Sequence, residues 1–279
     1  MPTSYLLNPK PKGSIYFGIL STFLSMIILG SIPFMGWLMS GVLGGLATSA
    51  ITALTAQNSV GVSGIVPVDP SFVSMQMNSI LSDIGTDSAK TGMLFSPEII
   101  DSVANTFMQY AVKNIIVDPV MVSKTGSKLL KDEAIERLIH GLVSIASLVT
   151  PNIPEAEIMS GINIDSVDSM EKSAMKINEL TGSSVLVKGG HMQNTVQSID
   201  VLYHDGKITY YSLPRINTKN THGTGDTYSA AIATFLATGN SMEQSVQNGK
   251  EYLQRAIEGS FPMGMGYGPL CHFWKLESV

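Results

Sequence analysis

The stretch Asn220-Thr-His-Gly-Thr-Gly-Asp226, followed by the apolar series Tyr228-Ser-Ala-Ala-Ile-Ala-Thr-Phe-Leu236, decides how the chain is read. Its periodicity predicts a glycine-rich loop opening a helix over 227–238. Glycines let a backbone approach a ligand closely, and a helix start offers unpaired N–H groups at a positive dipole end. Together they suit phosphate oxygens. An Asp at the same turn would repel phosphate, so its use there is as a general base that takes a proton from a substrate hydroxyl. An N-cap Asp with glycines in an ordinary turn accounts for the same residues.

Working outward, strands alternate with helices. Asp69-Pro70 opens a helix, Ala89–Phe95 gives a short strand, and Ser96-Pro97 caps the next helix. Residues 114–119 form a buried strand, 129–142 an amphipathic helix and 146–151 another strand. Helices follow from Ile153 and over 169–180. Ser184–Gly190 is a strand closed by glycines, 200–211 is a hairpin turning at Asp205-Gly206, and 241–257 is the last long helix. Continuous apolar strands between helices imply an α/β domain with a mostly parallel sheet covered on both faces. Ligands of such sheets sit beyond the carboxyl ends of the strands. That directs attention to Lys90, Asp118, Asn152, Glu155, Lys188 and the 220–226 loop.

Asp118, Asn152 and Glu155 suit a magnesium ion that keeps several waters and bridges nucleotide phosphates, although each could equally cap a helix or sit in a solvated loop. Lys188, at the end of a buried strand, is placed to meet phosphate charge or to pair with a carboxylate.

Length and composition agree. The chain has 279 residues, 44% of them hydrophobic, enough for one large domain. Net charge is −5, which argues against nucleic acid as a partner. Cys271 stands alone, so there is no internal disulfide framework, which fits a reducing, cytoplasmic setting. Between Lys12 and Asp69 no charged residue or histidine occurs. Stretches 14–30 and 32–54 have the apolarity of membrane spans, with Lys10 and Lys12 as a flank; the competing reading is a buried strand followed by an apolar helix. Residues 1–47 are therefore set apart from a domain over 48–279.

Several motifs resemble the hydroxymethylpyrimidine and phosphomethylpyrimidine kinases of thiamine synthesis: Ile51-Thr-Ala-Leu-Thr-Ala-Gln-Asn58, Lys90-Thr-Gly-Met-Leu94, Val117-Asp-Pro-Val-Met121, Thr150-Pro-Asn-Ile-Pro-Glu-Ala156, Val187-Lys-Gly-Gly-His191, Thr218–Gly225 and Gly266-Tyr-Gly-Pro-Leu-Cys-His-Phe-Trp274. The resemblance spans roughly residues 48–275 and implies a ribokinase-like, three-layer α/β/α fold. It implies ATP- and Mg²⁺-dependent phosphorylation of the pyrimidine's hydroxymethyl group and then of the monophosphate, by a homodimer. By the same mapping Gln57 meets the aminopyrimidine edge, with Met93 and Val120 near the ring. Lys188, Thr221 and Asn152 serve ATP, Asp118 and Glu155 the metal, Gly223, Thr224 and Gly225 form an anion hole, and Asp226 is the base.

Two departures stand out. The family usually has cysteine where this chain has Asp226, whereas Asp is the usual base in the wider superfamily. That brings in a pyridoxal-type vitamin B6 kinase as the alternative. The family's glycine-rich N-terminal motif has no counterpart in 1–47, where Leu43–Ser49 matches only the end of a first helix and its turn. A non-catalytic or membrane-tethered ligand-binding relative is the alternative from another class. No histidine pair has zinc spacing, and neither a Gly-x-Ser-x-Gly elbow nor a Walker lysine loop occurs.

Overall fold

The computed structural model describes residues 43–121, 130, 132–192 and 195–274. The first elements are an antiparallel ribbon of β1 (Ala53–Gln57) and β2 (Val62–Pro67), with a register shift at Ala56/Gln57. Helix α1 (Pro70–Leu81) follows, capped by Asp69, whose carboxylate accepts the Ser71 N–H. Then come β3 (Ala89–Thr91), α2 (Pro97–Gln109) capped by Ser96, β4 (Ile115–Val117) and α3 (Asp132–Arg137). The chain continues through β5 (Leu148–Val149), α4 (Ile153–Ser160), α5 (Val167–Thr181) and β6 (Ser184–Lys188). The hairpin β7 (Gln197–His204) and β8 (Lys207–Pro214) precedes α6 (Thr224–Ala237) and α7 (Met242–Glu258).

Strands β3 to β8 form one sheet in sequence order, parallel from β3 to β6 and antiparallel across β7 and β8. Alternation along each strand builds two cores. Ile115 and Val117 enter one apolar cluster and Ile116 the other; Val149 and Leu148, Val185 and Leu186, and Val201 and Leu202 divide the same way. The first cluster is closed by α1 to α5, the second by α6 and α7, giving three layers. Burying a side chain such as Ile116 stabilises the fold by about 1.5–3 kcal/mol.

Some boundaries differ from expectation. The helix expected over 129–142 is helical from Asp132 to Arg137 and then widens into a π turn (Leu138–Leu142) and a 3₁₀ turn (Val143–Ile145). The expected helix end over 43–49 is absent: Gly44 at φ +90° turns the backbone, and residues 45–52 belong to no element. The second membrane-span candidate thus ends in irregular chain and β1, while the first lies outside the described residues. Among the described residues no helix is long and apolar enough to cross a membrane.

Candidate active site

The carboxyl ends of the parallel strands bring the site together. Asp118 follows β4, and its N–H donates to Thr91 O at the end of β3 (3.0 Å). Lys188 ends β6, and its Nζ lies 2.7 Å from Asp118 Oδ1, with the side chains 12% and 5% exposed. The Thr150 hydroxyl also donates to Asp118 Oδ1, at 3.3 Å. Burial disfavours both charges, but each partner outweighs it. Lys188, with Lys90 behind it, holds the Asp118 carboxyl below its usual range, and Asp118 with Glu155 holds Lys188 above its own.

Asn152 and Glu155 form a capping box at the start of α4. Asn152 Oδ1 accepts the Glu155 N–H (3.0 Å), and Glu155 Oε2 accepts the Asn152 N–H (2.9 Å). The capping role and a place in the site coincide here. Glu155 is buried beside Lys188 and Asp118, and burial pushes its carboxyl up to about 7 despite the pull of Lys188.

The glycine-rich loop is more helical than its composition predicts. The helix begins at Thr224 rather than 227, because Gly223, at φ +83°, serves as the cap and its carbonyl accepts the Thr227 N–H (2.9 Å). Asp226 is therefore not an N-cap but the third residue of α6. Its Oδ1 pairs with Lys90 Nζ, with side-chain exposures of 10% and 15%. Its Oδ2 is buried with no hydrogen-bond partner among the described residues. Burial raises the Asp226 carboxyl, and the Lys90 ammonium opposes that rise without cancelling it. Gly225 lies directly over the Asp118–Lys188 pair: a Cβ there would stand 3.3 Å from Lys188 Nζ and 3.6 Å from Asp118 Oδ2.

Lys90, Asp118, Asn152, Glu155, Lys188 and residues 223–226, together with Gln57, Met93, Val120 and Thr221, line one cavity of about 1050 Å³, just above the usual range for ligand sites. Gln57 closes β1 at the ribbon's register shift, and Thr52 Oγ1 ties the ribbon to Met93 O (2.9 Å). The C-terminal motif closes the rim. Tyr267 N–H donates to Ser59 O (2.9 Å) and His222 N–H to Gly268 O (3.2 Å), so residues 266–268 link the ribbon turn to the 220–226 loop. In the sequence Lys90 stands out as a polar residue at a strand end and as the first residue of a family motif, with no role attached. Its partner Asp226 lies 136 positions away, a pairing that no local spacing announces.

The phosphomethylpyrimidine kinase family model matches residues 40–271. This chain belongs to the phosphomethylpyrimidine kinase family. It is 44% identical over 238 residues to the thiamine biosynthesis bifunctional protein of Geobacter sulfurreducens, covering 85% of this chain and 48% of that protein. The chain thus spans about half the length of that relative. It is 37% identical to the hydroxymethylpyrimidine/phosphomethylpyrimidine kinase of Bacillus subtilis, over 81% of this chain and 83% of that one. Among solved structures, an ADP complex of Bacillus subtilis pyridoxal kinase superposes with a TM-score of 0.80 at 30% identity, covering 87% of this chain and 92% of that one. The three-layer fold expected from the family motifs is the fold observed. At position 226 this family member carries a carboxylate in an ion pair with Lys90.

The donor set fits a hard cation shared with phosphate. No group of three or more His, Cys, Asp or Glu converges among the described residues. Two carboxylates, Asp118 and Glu155, are what Mg²⁺ uses when waters and phosphate oxygens complete its shell.

Proposed function

We propose that the chain transfers the terminal phosphoryl group of ATP to the hydroxymethyl oxygen of hydroxymethylpyrimidine and then to the monophosphate so formed. The observation that carries this reading is Asp226: a buried carboxylate with one oxygen unpartnered among the described residues, at the N-terminal turn of α6 and beside the Asp118–Lys188 pair.

In the first step Asp226 Oδ2 takes the proton of the substrate hydroxyl as that oxygen bonds to the γ-phosphorus. The bond from phosphorus to the leaving oxygen of ADP breaks, and the proton later passes from Asp226 to solvent. Burial raises the proton affinity of Asp226 while the Lys90 ammonium opposes that rise, so the pair sets how readily the carboxylate accepts the hydroxyl proton. Gly223, Thr224 and Gly225 present the start of α6 to the transferred group. Lys188, Thr221 and Asn152 meet the nucleotide phosphates. Asp118 and Glu155 would hold Mg²⁺, which offsets charge on the phosphates when bound. Gln57 faces the amino edge of the pyrimidine, with Met93 and Val120 against its ring. In the second step the acceptor is a phosphate oxygen already largely ionised at neutral pH, so no base is needed there.

The homodimer belongs to this reading, as does a cytoplasmic setting, which single-cysteine usage supports. The test is a rate comparison for hydroxymethylpyrimidine, its monophosphate and pyridoxal under one set of conditions. Higher kcat/KM for the two pyrimidines supports the proposal. Preference for pyridoxal, the acceptor of the superposed pyridoxal kinase, overturns it.

A further inference from the structure

Asp200 and Lys250 form an ion pair that the chemistry above does not use. Lys250 Nζ on α7 lies 2.6 Å from Asp200 Oδ2 on β7, and each side chain is only 5% exposed. A buried pair of this kind is often no more stabilising than apolar residues of the same volume, so what the pair holds matters more than its own energy. The free oxygen of the carboxylate answers that. Asp200 Oδ1 accepts the N–H of Gly189 at 2.9 Å, and Gly189 is the residue after Lys188.

The surrounding backbone leaves this turn little room. Lys188 and Asp200 are direct partners across the β6–β7 ladder, so their side chains rise from the same face of the sheet. Lys188 N–H donates to Pro151 O at 2.8 Å on the opposite side. Gly189 packs so closely on β7 that a Cβ would stand 1.9 Å from Ile199 O. The Arg215 guanidinium holds the far end of the turn, donating to Gly190 O (2.8 Å) and Met192 O (2.9 Å), while Asp200 anchors the Gly189 N–H next to Lys188 and Lys250 fixes the carboxylate that does so. The Asp200 charge also adds to those of Asp118 and Glu155 in keeping Lys188 protonated against the effect of burial.

We propose that Asp200 and Lys250 are positioning residues for Lys188: Asp200 holds the Gly189 turn, Lys250 holds Asp200, and the nucleotide phosphates therefore meet the Lys188 ammonium at a fixed place. This rests on the nucleotide-binding reading of Lys188.

The test compares two double variants that both lack the buried charges, D200N/K250M and D200L/K250M. The amide of the first still accepts the Gly189 N–H, whereas the second cannot. With ADP and Mg²⁺ as the titrant, D200L/K250M is expected to bind roughly tenfold more weakly than wild type, with KM for ATP rising alike and KM for the pyrimidine within about twofold, the size of effect one lost hydrogen bond gives. D200N/K250M should recover most of that affinity. Equal ADP affinity in the two doubles overturns the proposal, whatever their melting temperatures. If D200L/K250M does not fold, K250M alone decides. It should weaken ADP binding at least about threefold and K250R should restore it; unchanged affinity in K250M overturns the proposal. A wild type that binds ADP but phosphorylates no pyrimidine refutes the proposed function, and the ADP comparison still decides the positioning role.

Discussion

Replacing Asp226 by Asn separates the two phosphorylation steps. Asn keeps the size of the side chain and an oxygen for Lys90 but cannot take a proton. A positioned general base contributes about 10²–10⁴ to a rate, so kcat for the hydroxymethyl acceptor should fall by that factor, equivalent to roughly 3–5 kcal/mol of barrier. The monophosphate acceptor needs no deprotonation, so its kcat should fall less than about tenfold. Folding should suffer modestly, by about 1–3 kcal/mol, because the Lys90 bond to Asp226 Oδ1 becomes one to a neutral oxygen. The assay is steady-state turnover with each acceptor at saturating ATP, alongside ADP titration to show that the nucleotide site is intact. Turnover of the hydroxymethyl acceptor within about threefold of wild type would refute the base assignment. So would an equal loss on both acceptors, which would point to general disruption of the site.

Other perturbations test the surrounding structure. Lys188→Met leaves Asp118 buried without its main partner and should destabilise the fold by roughly 3–5 kcal/mol in denaturant titration, a loss that adding Asp118→Asn should largely reverse. His272 is buried with neither ring nitrogen partnered among the described residues, and burial lowers its pKa to about 4 from 6.5. Its stabilising contribution is complete above 6.5 and is lost as pH falls through about 4. His272→Phe keeps a ring against Tyr252 and removes that loss, so the variant should gain about 3 kcal/mol over wild type between pH 6.5 and 4; parallel stability curves would contradict this. Gly266→Ala places a Cβ 1.9 Å from Ser59 O, so the C-terminal motif must lift from the ribbon turn. Its KM for the pyrimidine should rise about tenfold or more with little change in melting temperature, since the rim rather than the core is displaced.

Much of the sheet is legible because its strands are short apolar runs bounded by turn and cap residues. Ile115–Val117 stops at Asp118-Pro119, Ser96-Pro97 reads as a helix start, and the helix from Ile153 is legible although the sequence leaves the roles of Asn152 and Glu155 open. The β1–β2 ribbon is not legible, since Ala53–Pro67 carries no charge and reads as part of a longer apolar stretch. Helix α6 starts three residues before the expected 227 because glycines in a sequence suggest a loop, whereas Gly223 is a cap and Gly225 a close-packing helical residue. The strand-end residues meet in one cavity because topology places such residues together in any parallel sheet. The ion pairs Lys90–Asp226, Lys188–Asp118 and Lys250–Asp200 are not legible in the sequence, because they join positions 136, 70 and 50 residues apart.

Phosphoryl transfer to the pyrimidine's hydroxymethyl oxygen can be followed by phosphorus NMR of the wild-type protein with ATP, Mg²⁺ and hydroxymethylpyrimidine. The γ-phosphorus signal should disappear as a phosphomonoester coupled to the methylene protons appears, followed by a second product with two linked phosphates. ATP that stays intact, or that yields only inorganic phosphate while the pyrimidine is unchanged, would contradict that transfer.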